Sequence, residues 1–351
     1  MATDPQYKEF DDLVEQTLQD LGKGDLPNLA LNYQNYPAFS RLWKPGRAKK
    51  TTGTGIRKNV IYKLPGSVKH QGFEQPVKVT IPQVTAKFSA DWCHIEQSWG
   101  WFRQEMLMNS GAARINNIIV PRRQTARDEF AEEVEEKFWA LPDANNPDVP
   151  KGLFYALTFN ATQGFNGSYA TGFTDKYGES TTKIKKLKNW TDKYADLSKT
   201  DGLLRIRKAF QRTTWRPPLN ASQMKSDLGQ RYAIFTDFDS ELRFASIAEG
   251  QNDKLGSDVA SMDGQVVIKR VPIIAVSYLS EENNPDWGSH PNPILGVDMD
   301  TFDLYALTGD FMEETGPRDI PDYPNGRGYY LSATYQYLNE LPANSWTMYK
   351  G

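Results

Sequence analysis

Residues 54–88 read TGIRKNVIYKLPGSVKHQGFEQPVKVTIPQVTAKF and decide how the whole chain is interpreted. Hydrophobic residues alternate with polar ones on both sides of Pro65-Gly66, a pair that is typical of turns. The alternating positions are Val60, Tyr62 and Leu64 before this turn and Val77, Val79, Ile81 and Val84 after it. The pattern predicts a long two-stranded ribbon, here called the basic ribbon. An isolated hairpin is marginally stable, and this one is polar on both faces. We therefore expect it to project from the body of the protein and to rest on a neighbouring surface.

Positive charge is concentrated in and before the basic ribbon. Between Arg41 and Phe88 there are eleven lysines and arginines and one acidic residue, Glu74, although the formal net charge of the whole chain is −3. Negative charge is concentrated in DEFAEEVEEK, residues 128–137, here called the acidic segment, which has six carboxylates and one lysine. The two segments are either the halves of a complementary contact or two solvated faces that never meet.

Length and composition exclude several classes of protein. The 351 residues, 39% hydrophobic and 24% charged, are enough for two or more compact subdomains. The single cysteine, Cys93, excludes an internal disulfide framework and fits a reducing cytoplasm. The N-terminal residues lack the basic and apolar parts of a secretion signal, and no apolar run is long enough to span a membrane. The net charge argues against a general nucleic-acid-binding protein.

Periodicity predicts an α+β chain with long helices early and β-structure late. Helices are predicted for residues 5–21, for 91–109 from the stripe Trp92, Ile95, Trp99, Phe102 and Met106, for a segment that opens near Thr125 and closes at Leu141-Pro142, for 201–213, and from Asp239 to Gly250. Strands are predicted for residues 152–155, 232–235, the run GQVVIKRVPIIAVSYL at 264–279, 294–307, and 329–338 after an Asn325-Gly326 turn.

Signatures of catalysis are missing from the sequence. It has no G-x-x-x-x-G-K-[ST] phosphate loop and no G-x-S-x-G nucleophile elbow. The three histidines, His70, His94 and His290, are scattered without motif spacing. Cys93 lies beside His94, but a zinc site needs two further ligands.

The best remaining candidate for chemistry is the group Asp298, Asp300 and Asp303 in GVDMDTFD. Alternate residues of a strand share a face, and hard cations prefer oxygen ligands. The run lacks the glycine and the terminal glutamate of a calcium loop, so we interpret these residues as solvent-facing acids on an edge strand or at a strand-loop junction. The sequence therefore predicts a protein that is not an enzyme and that has no metal site and no cofactor.

Three stretches resemble the major capsid proteins of tailed bacteriophages, which share the Hong Kong 97-type fold. The first is FWALPDANNPDVPKGLFYAL, residues 138–157, where a helix end is followed by a polar linker and by Pro150, Gly152 and Leu153 in the family's P-x-G-[IL] pattern. The second is a hairpin with Gly264, Val267, Pro272 and Ile273, and the third is the apolar-Gly-Asp run 294–298. The resemblance covers nearly the whole chain, in the order of features more than in identities.

The resemblance implies an α+β, Hong Kong 97-type capsid fold with four named parts. Residues 1–48 correspond to an N-arm and 49–90 to an extended E-loop. Residues 91–182 correspond to a P-domain with a long spine helix at about 110–141, and 183–290 to an A-domain. Residues 291–351 correspond to strands that return to the P-domain. Because the chain begins at Met1, cleavage of a long scaffolding prodomain is not expected.

In this family the E-loop reaches over a neighbouring subunit, which implies a set of contact residues. On the E-loop they are Arg57, Lys58, Tyr62, Lys63, Lys69, Phe73 and Lys78. On the acidic spine helix they are Asp128, Glu129, Glu132, Glu133, Glu135 and Glu136, and on the N-arm Leu42 and Trp43. Exposed ion pairs are worth about 0–1 kcal/mol each, so the charges are expected to orient the subunits, and Tyr62, Phe73, Trp43 and Leu42 to supply affinity.

The implied function is that of a major capsid protein, which self-assembles into an icosahedral shell around double-stranded DNA. Its partners would be identical subunits in hexamers and pentamers, with scaffolding, portal and decoration proteins as further candidates. DNA would be packaged without sequence specificity, and no membrane is involved. The protein would be located in the virion after assembly in the cytoplasm of the host bacterium.

Other functions remain open from the sequence, among them a hydrolase or a carbohydrate-binding module, which only the nine tryptophans and seventeen tyrosines suggest. The same fold can form an encapsulin-like compartment, and the basic ribbon can belong to a monomeric nucleic-acid-binding protein. Some capsid proteins also join an E-loop lysine covalently to an asparagine of the next subunit. Lys63, Lys69 and Lys78 are available for such a bond, but no partner asparagine can be matched.

Overall fold

The computed structural model describes residues 35–44, 46–66, 68, 70, 82–108, 119–214, 231–252, 266–280, 290–320 and 323–351. The predicted helix at residues 5–21 and the tip of the basic ribbon lie outside these ranges. In the described part of the chain, no helix is both long and apolar enough to cross a membrane.

The described chain mixes helices and strands, and its last six strands follow one another without an α-helix between them. The helices are α1 (Pro37–Leu42), α2 (Arg103–Met108), α3 (Ile119–Trp139), α4 (Leu153–Ala156), α5 (Gly202–Thr213) and α6 (Phe238–Asn252). The strands are β1 (Lys49–Thr51), β2 (Ile56–Ile61), β3 (Thr85–Ala90), β4 (Cys93–Phe102), β5 (Trp190–Tyr194), β6 (Tyr232–Thr236), β7 (Val267–Ile268), β8 (Val271–Ala275), β9 (Ile294–Asp298), β10 (Phe302–Ile320), β11 (Tyr323–Asn339) and β12 (Trp346–Lys350). Short 3₁₀ helices cover Lys185–Leu187, Ser277–Leu279 and Pro342–Asn344.

A four-stranded sheet in the order β1-β10-β11-β4 carries the long helix α3. The hairpin β10–β11 is antiparallel, β4 pairs antiparallel with β11, and β1 pairs in parallel with β10. The helix places Phe130, Val134 and Phe138 in the core at the spacing of one helical face. The Phe138 ring meets the rings of Phe302 and Tyr337 edge-on, with centroids 5.5 and 5.2 Å apart. The sheet and the helix thus share one apolar layer.

A six-stranded sheet in the order β5-β12-β9-β6-β8-β7 forms a second core with α5. As the sequence predicts, Leu203, Ile206 and Phe210 face inward from this helix. Phe210 lies edge-on to Tyr232 of β6 and to Trp346 of β12, with centroids 5.5 and 5.4 Å apart. Strands from distant parts of the sequence therefore pack on one helical face.

The helix predicted for residues 91–109 is wrong over most of its length. Residues 93–102 form strand β4, and only Arg103–Met108 are helical. The predicted stripe also fits a period of two, because Ile95 and Trp99 lie on the same face of the strand. Trp99 is directly opposite Tyr329 of β11, and the two rings stack at 4.7 Å with an angle of 6°. Cross-strand pairing of aromatic rings thus overrides the helical spacing.

Several predicted boundaries also differ from the structure. The described part of the long helix runs from Ile119, so Thr125 lies inside the helix and does not open it. It ends at Trp139, inside the predicted bounds of about 110–141. Residues 153–156 are helical and not extended. The predicted Asn325-Gly326 turn lies within β11, where Gly326 pairs with Phe102.

Residues 291–351 contribute strands to both sheets. Strands β10 and β11 belong to the four-stranded sheet beneath α3, whereas β9 and β12 lie inside the six-stranded sheet. The chain therefore enters that sheet twice after residue 290, on either side of the long hairpin. The predicted domain boundaries, including the assignment of 291–351 to the P-domain, stay predictions.

Candidate functional site

The base of the basic ribbon is built as the sequence predicts. Strands β2 and β3 pair antiparallel from Ile56 opposite Ala90 to Ile61 opposite Thr85. One more backbone bond, from Tyr62 N to Val84 O at 3.0 Å, extends the pairing. One face of β3 is buried, and Phe88 on that face is 1% exposed. The ribbon is therefore rooted in the core by one face and leaves it beyond residue 61.

Four charged side chains, here called the ion cluster, hold the root of the ribbon. Lys58 on β2 contacts Glu340 and lies 3.5 Å from the hydroxyl of Tyr305. Lys49 on β1 donates to Asp303 at 2.5 Å and lies 3.6 Å from Glu340. Burial, followed by the charge of Lys49, lowers the pKa of Lys58. Two cations and two carboxylates thus join the ribbon to β10 and to the end of β11.

Beyond its root, the basic ribbon exposes large apolar side chains. Ile61, Leu64 and Val68 are 77%, 80% and 92% exposed, so they contribute little to the core of their own chain. The residues predicted to supply apolar contacts are different ones: Tyr62, Phe73, Trp43 and Leu42. Ile61 follows Val60 on a strand, so the two side chains point to opposite faces. The alternation that begins at Val60 could therefore have identified Ile61 as a residue of the outer face.

The predicted ribbon contacts divide into three groups. Arg57 and Lys63 are exposed, whereas Lys58 is half-buried in the ion cluster. Tyr62 is partly buried, and the ammonium of Lys183 lies 5.4 Å from the centre of its ring. The other predicted contacts, Lys69, Phe73 and Lys78, lie outside the described residues.

Charge on the long helix α3 is divided along its length. Its N-terminal half carries arginines that the neighbouring elements neutralise. Arg122 binds both carboxylate oxygens of Glu105 at 2.9 Å, while Arg123 and Arg127 contact Glu314 of β10 at 2.5 and 3.0 Å. Burial raises the pKa of Glu314, but hydrogen bonding and charge from Arg123 and Arg127 outweigh burial and lower it.

The C-terminal half of α3 presents most of the acidic segment to the surface. Glu133 and Glu136 share the single cation Lys137, at 3.5 and 3.3 Å, and Glu129 accepts a hydrogen bond from Gln97 at 2.5 Å. Negative charge near the C-terminus of a helix opposes the helix dipole. These acidic side chains therefore do not stabilise the helix by themselves, and they form a partly exposed, negatively charged surface. Asp128 and Glu132 are half-buried on the same segment.

Glu135 was predicted to belong to the exposed acids of the contact surface, but the structure shows that it is buried. It is 1% exposed, and its carboxylate accepts hydrogen bonds from Ala38 N at 3.1 Å, Phe39 N at 2.7 Å and Trp139 Nε1 at 2.6 Å. Burial raises the pKa of Glu135, while these three donors act in the opposite direction. It holds the first turn of α1 against α3, so its carboxylate has no surface to offer to another subunit.

Leu42 and Trp43 are a second correction, because the structure places them in the core of their own chain. They are 0% and 4% exposed. The Trp43 ring stacks on Phe311 at 5.4 Å and meets Tyr335 edge-on at 4.7 Å. Its indole N–H donates to the hydroxyl of Tyr337 at 3.0 Å. These residues attach the N-terminal segment to the body of the subunit.

The three aspartates proposed as the best chemical group have structural contacts. Asp298 is 0% exposed and pairs with Arg231, whose Nε donates to Oδ2 at 2.8 Å, so its interpretation as a solvent-facing acid is wrong. Asp300 N donates to Asp298 Oδ1 at 3.1 Å, and Asp303 belongs to the ion cluster. Within the described ranges, no group of three or more His, Cys, Asp and Glu side chains is placed to hold a metal ion.

Cys93 and His94 point to opposite faces of β4, because they are neighbours on a strand. The Cys93 thiol is buried, and burial raises its pKa to about 11. His94 Nδ1 lies 2.8 Å from Thr334 Oγ1 and 3.4 Å from Asp310 Oδ2 on the exposed face. The two residues therefore cannot ligate one metal ion together.

No protein-family model and no curated protein matches this chain. Solved structures do match along nearly its whole length. A chain of the Cyanophage A-1(L) capsid asymmetric unit is 13% identical, with 92% of this chain and 96% of that one covered and a TM-score of 0.63. A chain of the capsid of Myoviridae Phage XM1 is 8% identical, with 96% and 98% covered and a TM-score of 0.53. A chain of Microbacterium phage Oxtober96 is 13% identical, with 98% and 99% covered and a TM-score of 0.53.

At such low identity these matches establish architecture and leave the function of individual residues open. The mixed helix-and-sheet organisation predicted from the sequence is confirmed. The chain has the Hong Kong 97-type fold of tailed-bacteriophage major capsid proteins.

Proposed function

We propose that this protein is the major capsid protein of a tailed bacteriophage and that it self-assembles into an icosahedral shell enclosing double-stranded DNA. The observation that carries the proposal is the basic ribbon, which leaves the body with Ile61, Leu64 and Val68 in solvent. A soluble monomer gains nothing from three exposed aliphatic side chains in one projecting segment. A subunit that lays this segment on an identical neighbour buries them. Its role is structural and not enzymatic.

The apolar residues supply most of the affinity of this proposed contact. Complete burial of a Val, Leu or Ile side chain is worth about 1.5–3 kcal/mol. Exposed ion pairs are worth about 0–1 kcal/mol each, so Arg57 and Lys63 orient the approaching subunits and contribute less to holding them. As predicted from the sequence, we assign orientation of the subunits to charged residues and affinity to apolar residues. Ile61, Leu64 and Val68 take the apolar role in place of the buried Leu42 and Trp43.

The proposed acceptor is the negative half of α3 on the neighbouring subunit. Glu133 and Glu136 share one lysine, so the surface has unbalanced negative charge available to the positive ribbon. Glu129 lies on the same exposed segment. The contact would repeat around hexamers and pentamers, since each subunit carries both the ribbon and the acidic half of the helix. Scaffolding and portal proteins are further proposed partners, and the proposed site of assembly is the host cytoplasm.

Electron microscopy and light scattering of the purified protein test the proposal. We expect capsomers or hollow particles from the unmodified chain, alone or with its scaffolding protein. Replacing Leu64 and Val68 by serine should abolish or strongly reduce them without lowering the thermal midpoint. Leu242→Ser is a matched control, because Leu242 is 68% exposed but lies on α6.

Two results would count against this assignment. A chain that stays monomeric at high concentration with scaffold present would favour the monomeric nucleic-acid-binding alternative. Equal particle loss from the ribbon and control variants would show that the ribbon has no special part in assembly.

A further inference from the structure

Strand β4 is an edge of the four-stranded sheet, and one of its sides is open. Among the described strands it pairs with β11 alone, over its whole length and without a bulge. Near its end, Phe102 N donates to Glu105 Oε2 at 3.0 Å, and Gly100 O accepts from Arg122 Nη1 at 3.1 Å. In an antiparallel pair, alternate residues direct both backbone groups to the same side. The even-numbered residues of β4 therefore direct their N–H and C=O groups away from β11.

The open side of β4 is unprotected between residues 94 and 98. In the described part of the chain, the outward backbone groups of His94, Glu96 and Ser98 have no hydrogen-bond partner. Native proteins usually protect such an edge with proline, lysine, a bulge or a covering segment. Residues 94–98 contain no proline or lysine, and the side chains of all three residues are exposed. This stretch, here called the open edge, is therefore a template for one further strand.

The basic ribbon has a free backbone side with the same spacing. Tyr62 N donates to Val84 O beyond the end of β3, so the odd-numbered residues around Tyr62 direct their backbone groups outward. Beyond the root of the ribbon these are Ile61 and Lys63, whose side chains are exposed. Pro65 follows them and has no N–H to donate. The ribbon thus offers two residues to an open edge that offers three.

We propose that residues 61–64 of one subunit add to the open edge of an identical neighbour as an antiparallel strand. The alignment that places Lys63 opposite Glu96 sets a cation directly across from a carboxylate, which stabilises a strand pair. The same alignment places Ile61 opposite Ser98, so both outward residues of the ribbon meet free backbone groups. In this mode of recognition the main-chain hydrogen bonds give affinity, and the side chains give specificity.

The proposed alignment also covers an exposed leucine. Leu64, which is 80% exposed in its own chain, comes opposite Ile95, which is half-buried and packs against the core. On the same face of β4, Gln97 Nε2 donates to Glu129 Oε2 of α3 at 2.5 Å. The open edge therefore adjoins the acidic half of α3, so the backbone pairing and the charge contact fall on one surface of the neighbour.

A second copy of β4 is a less suitable occupant of the open edge. The antiparallel alignment of two open edges that engages all three residues of each places the two Glu96 carboxylates opposite each other, and like charges directly across a strand pair are destabilising. The inference rests on the proposed function, because it concerns contacts between subunits of an assembly. It goes beyond that function in naming the backbone groups that receive the ribbon.

Ser98→Pro tests the backbone pairing. Proline removes the outward N–H and leaves the bonds to β11 intact, because it is tolerated on an edge strand where the N–H faces solvent. We expect the protein concentration for half-maximal particle formation, measured by light scattering, to rise about 10-fold. Thr85→Pro is the matched control and should leave this concentration unchanged. Thr85 is also exposed and, as the partner of Ile61, directs its N–H outward, but from β3, which the proposal leaves unpaired. Equal thermal midpoints establish that the variants are folded.

A charge exchange tests the alignment and does not depend on the proline variant. Lys63→Glu and Glu96→Lys should each raise the half-maximal concentration about 5-fold, because a cross-strand ion pair becomes a repulsion. The double variant should return to within about 2-fold of the unmodified chain. Arg57→Glu is the control for this rescue. Arg57 lies six positions before Lys63, about 20 Å along the strand, so Glu96→Lys should not restore assembly of Arg57→Glu.

Three results would overturn the inference. They are equal effects of Ser98→Pro and Thr85→Pro, no recovery in the Lys63/Glu96 double variant, and rescue of Arg57→Glu by Glu96→Lys. When the unmodified chain forms particles, each of these results rejects only the strand pairing. Absence of particles from the unmodified chain with scaffold present rejects the capsid function, and the pairing with it.

Discussion

Gly296 lies directly beneath the indole ring of Trp346. The two residues are paired across strands β9 and β12. A Cβ at position 296 would overlap the Cε2, Nε1 and Cζ2 atoms of that ring, which is 0% exposed. The glycine of the apolar-Gly-Asp run is therefore required by packing in the centre of the six-stranded sheet, because a larger residue would displace a fully buried tryptophan.

Gly296→Ala should destabilise the protein by about 1–3 kcal/mol, because a methyl group there overpacks a close-packed core. The measurement is the urea midpoint of unfolding at an unchanged m-value. Gly46→Ala is the matched control, since Gly46 is exposed and has no atom within 4 Å of the added Cβ. Equal effects of the two substitutions would contradict the packing argument.

The position of Gly296 in a strand was predictable from its neighbours, but its contact with Trp346 was not. Local alternation identifies β6, β8, β9 and most of β11, and helical spacing identifies α5. Pairing between residues 50 positions apart is set by long-range register, which one sequence does not reveal. The same limit explains residues 93–102, whose hydrophobic spacing fits either period until the strand β11 is known to lie beside them.

Glu135→Ala should loosen the attachment of α1 to the long helix. The substitution removes the acceptor of the backbone N–H groups of Ala38 and Phe39 and of the Trp139 indole, and buried donors without a partner cost about 1–3 kcal/mol. We expect lower stability and faster proteolytic cleavage near residues 35–44. Glu136→Ala removes a half-exposed carboxylate from the same helix. It should change the free energy of unfolding by no more than about 0.5 kcal/mol and leave the rate of cleavage unchanged. Unchanged cleavage in Glu135→Ala would contradict the proposed attachment.

Lys176 should make the protein more stable as the pH rises from 7 to about 9.5. Its side chain is 0% exposed and donates to the carbonyl oxygens of Ala156 and Leu187, at 2.7 and 3.1 Å. Burial, with a smaller contribution from the charge of Lys188, lowers its pKa from 10.5 to about 7. The unfolded chain therefore binds more protons than the folded chain between these two values, and raising the pH favours the folded state.

The expected gain from this lysine is at most about 1.4 kcal/mol per pH unit. Denaturant unfolding at pH 7.5, 8.0 and 8.5 measures it, well below the tyrosine pKa of about 10 in the unfolded chain. Lys176→Met is the control, because a methionine side chain does not titrate. The comparison is between the pH slopes of the two proteins and not between their absolute stabilities. The same pH slope in both proteins would show that Lys176 stays charged in the folded state.

Removing one member of the buried pair Arg231 and Asp298 should lower the free energy of unfolding more than replacing both members by apolar residues. The two side chains are 1% and 0% exposed, and Asn344 Nδ2 donates to the same carboxylate at 3.0 Å. Asp298→Ala leaves a buried guanidinium without its counter-ion and should cost about 3–5 kcal/mol. The double variant Arg231→Met with Asp298→Leu should recover much of this loss, as a double-mutant cycle of unfolding free energies will measure. Strictly additive losses would mean that the two side chains do not act as a pair.

The candidate site was predicted as a set of charges, and its apolar part was misassigned. Sequence order located the base of the ribbon and the acidic half of α3, and it identified Arg57 and Lys63 as exposed cations of the ribbon. It could not distinguish Glu135 from its neighbours, because the backbone donors that bury Glu135, Ala38 N and Phe39 N, lie 97 and 96 positions earlier in the chain. Nor could it place Trp43, whose aromatic partners lie on β10, β11 and α3. Burial of these residues depends on tertiary contacts between segments that the sequence keeps apart.

The parallel pairing of β1 with β10 has a mechanical consequence. Lys49, Lys50 and Thr51 lie beside Tyr305, Ala306 and Leu307, and the first strand of the ribbon, β2, begins five positions after Thr51. Tension on a ribbon gripped by its neighbour would pull β1 along the strand direction, so its hydrogen bonds and the Lys49–Asp303 contact would bear the load together and not open one by one. Under the proposed capsid function this geometry would help the shell to resist outward pressure, because a joint loaded in shear bears more force than one that unzips.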